Sequence, residues 1–444
     1  MEPKAKGKNS RTTILVSSMI GTAIEQYDFL LYGAAAALIF NKLFFPSMSP
    51  LAGTLAALAT YTAGFIARPL GGLLFGHLGD RMGRKSILML TLTVMGVAST
   101  AIGFLPTYDS IGIAAPIVLV VLRIIQGVAL GGEQGGAILI AVENAPPNKR
   151  GFWGAFGPAG SSLGIVLSFG AMSLAAYLSG AEFTTWGWRA PFIASIVLVA
   201  IGLVVRSRLD ETPAFARIQA QKKQAAMPLL ELIRNYPKEL FITFGVRFGD
   251  IGWATITLIF TTSYAITQLN VPRGQVLNAI VVAATVAVFV LPIVGALSDR
   301  FGRKPFIILS GVLMILFAWP YFLMLQTRDP FWITTAIVLS WGFLTPLTYA
   351  TESAFFAELF ETRVRYSGVN AGQQLSGVIS AGLLPLFAVW ALQWTGGNPW
   401  PVAAVGVFMG VVIIISALAA HETYKADLDT VEPGSRARLR TRPA

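Results

Sequence analysis

The residues able to do chemistry in this chain are charged groups set inside apolar sequence. The stretch Gly21-Thr-Ala-Ile-Glu25-Gln-Tyr27-Asp28-Phe-Leu-Leu-Tyr32-Gly33 holds two acids three residues apart. On a helix that spacing puts both carboxyls on one face. Two acids within a turn repel, and burial disfavours the charged form, so at least one should bind and release a proton near neutral pH. Asp28 is the preferred carrier and Glu25 the second. The stretch Val246-Arg247-Phe-Gly249-Asp250-Ile-Gly252-Trp253 repeats the spacing with a base and an acid, and the two pairs share one offset, 247 − 25 = 250 − 28 = 222. The plain reading of Arg247 with Asp250 is an internal salt bridge, which does not exclude a role in binding.

A third stretch, Leu122 to Gly136, places Arg123, Gln126 and Glu133 among glycines that allow close helix approach. The Arg123 guanidinium can fork onto a carboxylate, either Asp28 or an anionic solute. Arg68 can snorkel to the interface or touch a ligand. Glu352 falls at the inner end of its span and is weaker evidence. Tyr27, Tyr32 and Trp253 flank the buried charges and are candidate binding residues.

The elements that must position these groups follow from composition. Hydrophobic residues make up 55% and charged residues 12% of 444, with mean hydropathy +0.66. A soluble domain carries about 25% charge, so this is an integral membrane protein. A spanning helix needs roughly 20 apolar residues. Twelve such stretches occur, at 14–38, 52–76, 86–105, 114–141, 151–178, 189–206, 239–264, 275–297, 305–325, 331–350, 367–390 and 400–420. All should be helices, because lipid offers backbone groups no partner. The expected class is all-α integral membrane, with twelve transmembrane helices in two pseudo-symmetric six-helix bundles. The bundles are 1–206 and 239–421, with a partly helical cytoplasmic linker at 207–238 and a disordered cytoplasmic tail at 422–444. The first apolar stretch is too long for a signal h-region and reads as a retained span.

Of the 33 Lys and Arg residues, alternating loops leave only Lys42, Arg189, Arg273 and Arg328 on one face. Arg68, Arg123 and Arg247 lie within spans, and the rest fall on the other face. Positive residues mark the cytoplasmic side, so both termini are expected inside and the protein in the cytoplasmic membrane. The net charge of +11 therefore reports topology and contact with the lipid bilayer, not nucleic acid.

A decapeptide occurs twice, as Gly76-His-Leu-Gly-Asp80-Arg81-Met-Gly83-Arg84-Lys85 and as Gly295-Ala-Leu-Ser-Asp299-Arg300-Phe-Gly302-Arg303-Lys304. The glycines permit a tight turn. Asp80 and Asp299 can bond to helix N-termini or to Arg84 and Arg303. Such contacts would lock the halves in one conformation and break in another.

Enzyme readings find little support. Gly160-Ser161-Ser162-Leu163-Gly164 fits G-x-S-x-G, but inside an apolar span and without the strand–turn–helix context. It reads as small-residue helix packing. The chain has no cysteine, so disulfides and thiol chemistry are excluded. No catalytic residue, metal site or cofactor is expected, and the proton would be the coupling ion.

The double decapeptide resembles the loop signature of the major facilitator superfamily, and Arg123-Ile-Ile-Gln126-Gly127 resembles its span-four motif. Five stretches resemble the metabolite:proton symporter family, which includes shikimate, α-ketoglutarate, citrate and proline/betaine carriers: Gly21 to Gly33, Arg68-Pro-Leu-Gly-Gly72, Leu130 to Gly136, Trp186 to Phe192, and Ala357 to Gly368. The resemblance implies a solute site near mid-membrane between two rocking halves, with Asp28 protonated and Arg123 its partner. Gly157-Pro158 is similar to drug antiporters, but Ala159-Gly160-Ser161 departs from their longer glycine pattern. The reading is a proton-coupled importer of a small organic acid or zwitterion, working as a monomer. An antiporter or exporter on the same fold is the first alternative, a channel or receptor the second, and a membrane enzyme the third.

Overall fold

The computed structural model describes residues 11–82, 84–131, 141–146, 148–207, 228–361 and 364–426; the side chains of 11–14, 73, 76–82, 84–86, 88, 206 and 228–231 are outside the description. Apolar sequence without backbone partners in lipid folds into rods, and twelve long ones run through the chain. Span one is Arg11–Ala35, continued by Ala36–Phe40 and Asn41–Phe44. Spans two to six are Pro50–Met82, Arg84–Phe104, Ala114–Gly131, Phe156–Ser179 (preceded by Arg150–Gly154) and Arg189–Ser207. Span seven is Pro237–Thr255 with Ile256–Phe260 and Thr261–Thr267. Spans eight and nine are Arg273–Phe301 and Lys304–Gln326. Span ten is Pro330–Ile337 to Thr345–Leu359, span eleven Arg365–Gly377 to Leu384–Trp394, and span twelve Trp400–Ala419.

Eight of these rods are long and apolar enough to cross a membrane, and Met89–Phe104 and Arg189–Val205 are shorter apolar helices. The two rods in neither set are spans one and seven, which carry the paired charges. Their polarity is tolerated because it is buried against protein. The expected linker shows one described helix, Pro228–Asn235.

Two features were not expected from hydropathy. Spans one and seven each contain a wide π-turn, at Ala36–Phe40 and Ile256–Phe260, as do spans ten and eleven at Val338–Leu344 and Val378–Leu383. Such turns cluster at functional sites. Spans two and eight also run to Met82 and Phe301, past their expected ends, so Gly76 and Gly295 sit inside helices and not in turns. Gly295 instead lets span eight approach the Gly151 carbonyl. Gly302, with φ +101°, makes the turn.

Span five packs on spans one and eight, and span two packs on spans four and eleven. Small residues set these approaches. Gly160 and Gly164 meet the span-one backbone at Met19 and Ala23, so the G-x-S-x-G stretch is helix packing. Gly127 and Gly131 meet the span-two carbonyls of Gly64 and Arg68, where any Cβ would clash.

Candidate functional site

Close approach of spans two and four seats Arg123 among span-one and span-two rings. Its guanidinium carbon lies 3.9 Å from the Phe29 ring centroid, 4.3 Å from Tyr32 and 4.9 Å from Tyr61. Arg123 Nη1 donates to Gln126 Oε1 at 3.2 Å, and Gln126 Nε2 donates to Ser99 Oγ at 2.7 Å. Asp28 is 1% exposed. The hydroxyls of Ser195 and Ser99 lie beside its carboxylate, short of well-formed hydrogen bonds. Arg123 and Asp28 therefore form no ion pair. Gln126 and Ser99 lie between them. Glu25 is also buried.

Arg68 does not snorkel. It is 4% exposed, with its guanidinium carbon 4.0 Å from the Phe29 centroid and 4.2 Å from Phe65. Two arginines thus share Phe29, a cation–π arrangement that strengthens when desolvated.

Span seven is arranged differently. Arg247 Nη1 donates to Asp250 Oδ2 at 3.0 Å and also to Glu352 Oε1 of span ten. The expected internal salt bridge is present, but as one arm of a triad. Glu352 is 1% exposed and lies well inside, not at the end of its span. Tyr349, one turn earlier, sits 5.1 Å from the Arg247 guanidinium and donates to Ser161 Oγ of span five at 2.7 Å.

A cavity of about 80 Å³ lies between the first six and the last six spans. Its charged lining is Arg68, Arg247 and Asp250, with Gln26, Ser161, Tyr349 and Trp341 among the polar and aromatic walls. The structure thus brings Arg247 and Asp250 to the cavity. It leaves Arg123 and Gln126 behind Phe29 and Tyr61. Tyr27 donates to the Pro191 carbonyl at 2.7 Å, and Tyr32 to Thr60 at 2.6 Å; neither lines the cavity. Trp253 packs on Tyr321 with centroids 5.6 Å apart and on Gly406, away from it. Glu133 lies outside the described residues. Glu352 was given little weight because it was placed at the inner end of its span; Tyr349, Ser161 and Trp341 were not expected at the site, because only the fold joins their spans to the charges.

The second decapeptide copy joins the halves at the basic face. Asp299 accepts from the backbone N–H groups of Gly151 and Phe152 at 2.7 and 2.8 Å, at the start of span five. Arg303 Nη2 donates to Asp299 at 2.8 Å and to Glu358 at 3.2 Å. Burial alone would lower the Arg303 pKa, but the carboxylates of Glu358 and Asp299 outweigh it and raise it. Arg300 is exposed, over the Phe301 ring. In the first copy Gly83 and the side chains of Asp80, Arg81 and Arg84 lie outside the described residues. Farther along, Thr62 donates to the Gly382 carbonyl at 2.6 Å and Ser173 to Asn278 at 2.7 Å. The halves are held together at both ends, with a small cavity between.

Twelve helices around a central charged cavity fit a multi-pass membrane transport protein. Residues 29–381 match the Major Facilitator Superfamily, and the chain belongs to that family. It is 39% identical to the shikimate transporter of Escherichia coli K12 over 417 residues, covering 93% of this chain and 94% of the relative. It is 34% identical to the proline/betaine transporter of the same organism, over 90% of this chain and 82% of that one. A solved proton:xylose symporter bound to 6-bromo-6-deoxy-D-glucose shares the fold, with TM-score 0.70, 16% identity, and coverage of 94% and 98% of the two chains.

Proposed function

We propose that the chain is a proton-coupled symporter that takes up a small organic acid or zwitterion by alternating access. The observation that carries this reading is Asp28. Its carboxylate is buried beside two hydroxyls, with no cation paired to it among the described residues, and Gln126 and Ser99 lie between it and Arg123. A bare buried charge is costly, so adding or removing one proton there changes how the surrounding helices fit.

In this reading Asp28 carries the proton, with Glu25 second and Arg123 and Glu133 assisting. The solute lies in the cavity against Arg247 and Asp250. Residues 1–206 and 239–421 rock as two bundles about linker 207–238. The tail was expected to be disordered from 422, but its described residues dock on the bundles: Glu422 accepts from the Arg303 N–H at 2.8 Å, and buried Thr423 donates to Glu358 at 2.7 Å. The basic face is cytoplasmic, and a single chain suffices. The Asp299–Arg303 contacts then form the inner gate, which must break for release inside. Relatives at 39% and 34% identity that are named for shikimate and for proline/betaine support this solute range.

The test is uptake into proteoliposomes under an imposed inward proton gradient. Labelled shikimate, α-ketoglutarate, citrate, proline and betaine are offered. Accumulation of one, collapsed by a protonophore, is the expected result. No accumulation of any by folded protein would sink the symport reading for this solute range and favour an antiporter.

A further inference from the structure

We propose that Arg68 is the anchor for the solute's carboxylate, and that the cavity orients a monocarboxylate whose other end carries a hydroxyl or cationic group. The proposal rests on the symport reading above and names its solute more narrowly.

Three arginines are buried near the cavity, and two are already engaged. Arg247 is held by two carboxylates, so a solute anion there must compete with both. Arg123 donates to Gln126 and stands behind the cavity wall. Arg68 lines the cavity and forms no ion pair among the described residues, and its Nε has no hydrogen-bond partner. Its guanidinium is held against Phe29 and Phe65 at 4.0 and 4.2 Å. Stacking on rings engages the face of a guanidinium and leaves its N–H edge able to fork a carboxylate. The rings also fix the plane, so little side-chain freedom remains to be lost on binding.

The facing wall has the opposite character. Asp250 lines the cavity and shares Arg247 with Glu352, whose Oε2 has no hydrogen-bond partner. Two acids around one base favour a donor or a positive group. A solute with carboxylates at both ends would bring its second one against that acid pair, and like charges in a desolvated site cost several kcal/mol. Shikimate, proline and betaine fit this polarity; α-ketoglutarate and citrate do not.

The test uses the full chain in proteoliposomes. The panel first identifies which solute the wild type accumulates; accumulation of none rejects the symport reading itself, as distinct from this proposal. For the accumulated solute, its methyl ester is then compared with the free acid as a competitor. The ester should compete at least about tenfold more weakly. Arg68→Ala should raise KM at least about tenfold and erase the preference for acid over ester, with Arg68→Lys intermediate. An ester that competes as well as the acid overturns the proposal without any variant. So does an unchanged KM in Arg68→Lys and Arg68→Ala, or accumulation of α-ketoglutarate or citrate in preference to the others. If Arg68→Ala fails to fold, the ester comparison and Arg68→Lys decide.

Discussion

Spans one and seven occupy matching places in the repeat, yet they handle charge in opposite ways. Around span one, Arg68, Arg123 and Asp28 form no ion pair among the described residues. Arg68 and Arg123 rest on aromatic rings, and Asp28 lies beside serine hydroxyls. Around span seven, one base is saturated by two acids. Removing one member of a buried ion pair strands the other, at about 3–5 kcal/mol. Charges already lacking a direct ion partner have less to lose in stability and more to gain from a proton or a ligand. On the proposed reading the titrating and anchoring work falls to the first half, while the second holds two acids around one base.

The largest expected effect separates coupling from translocation. Asp28→Asn should abolish gradient-driven accumulation while counterflow exchange survives; unchanged accumulation would remove Asp28 as the carrier. Next comes stability. Arg247→Ala strands Asp250 and Glu352 together and should destabilise the protein by about 3–5 kcal/mol, read as a drop in melting temperature in detergent. Asp28→Asn should leave that temperature within a few degrees. Adding Glu352→Gln to Arg247→Ala should recover part of the loss. If the two single variants melt alike, the contrast between the halves is wrong. Arg123→Ala should then lower affinity or coupling severely, because it empties the contact with three rings and frees Gln126; normal kinetics would return Arg123 to a packing role.

Much of this contrast was legible in the chain. The common offset of the charged pairs, the repeated decapeptide and the skewed distribution of Lys and Arg all report a repeat, and they do so through local sequence. The triad was not legible, because Glu352 lies 105 residues from Arg247 and only span packing joins them. The same holds for Arg68. The sequence left snorkelling and ligand contact open for it, and only the packing of span two, which stays helical through Pro69 to Met82, sets Arg68 against Phe29 and Phe65. The decapeptide glycines were read as turns because hydropathy ends a span where polar residues begin. The helix instead runs on to Phe301, so Gly295 serves a close helix contact, while Gly302 makes the expected turn.

Smaller effects probe what holds the halves together. Asp299→Asn weakens an anionic cap on the start of span five and its pair with Arg303. The loss should be on the order of 1 kcal/mol, enough to shift a balanced two-state population about fivefold. The chain has no native cysteine, so a single introduced cysteine on each side of that gate reports opening directly. Faster cross-bridging loss in Asp299→Asn is expected.

The smallest and sharpest effect belongs to Tyr349→Phe. Tyr349 is the point where the two charge arrangements touch: its ring lies beside Arg247 of the saturated triad, and its hydroxyl reaches Ser161 of span five at 2.7 Å. The substitution removes one hydrogen bond across the cavity and little volume. It should cost about 0.5–1.5 kcal/mol, and only in conformations where the halves are closed around the cavity. Counterflow should therefore speed up or shift in KM by a few-fold, with melting temperature nearly unchanged. Ser161→Ala should do the same, and the double variant should add little, since both remove one bond. Fully additive effects would show that Tyr349 and Ser161 act separately, and that the half carrying the triad senses the other by some route other than this contact.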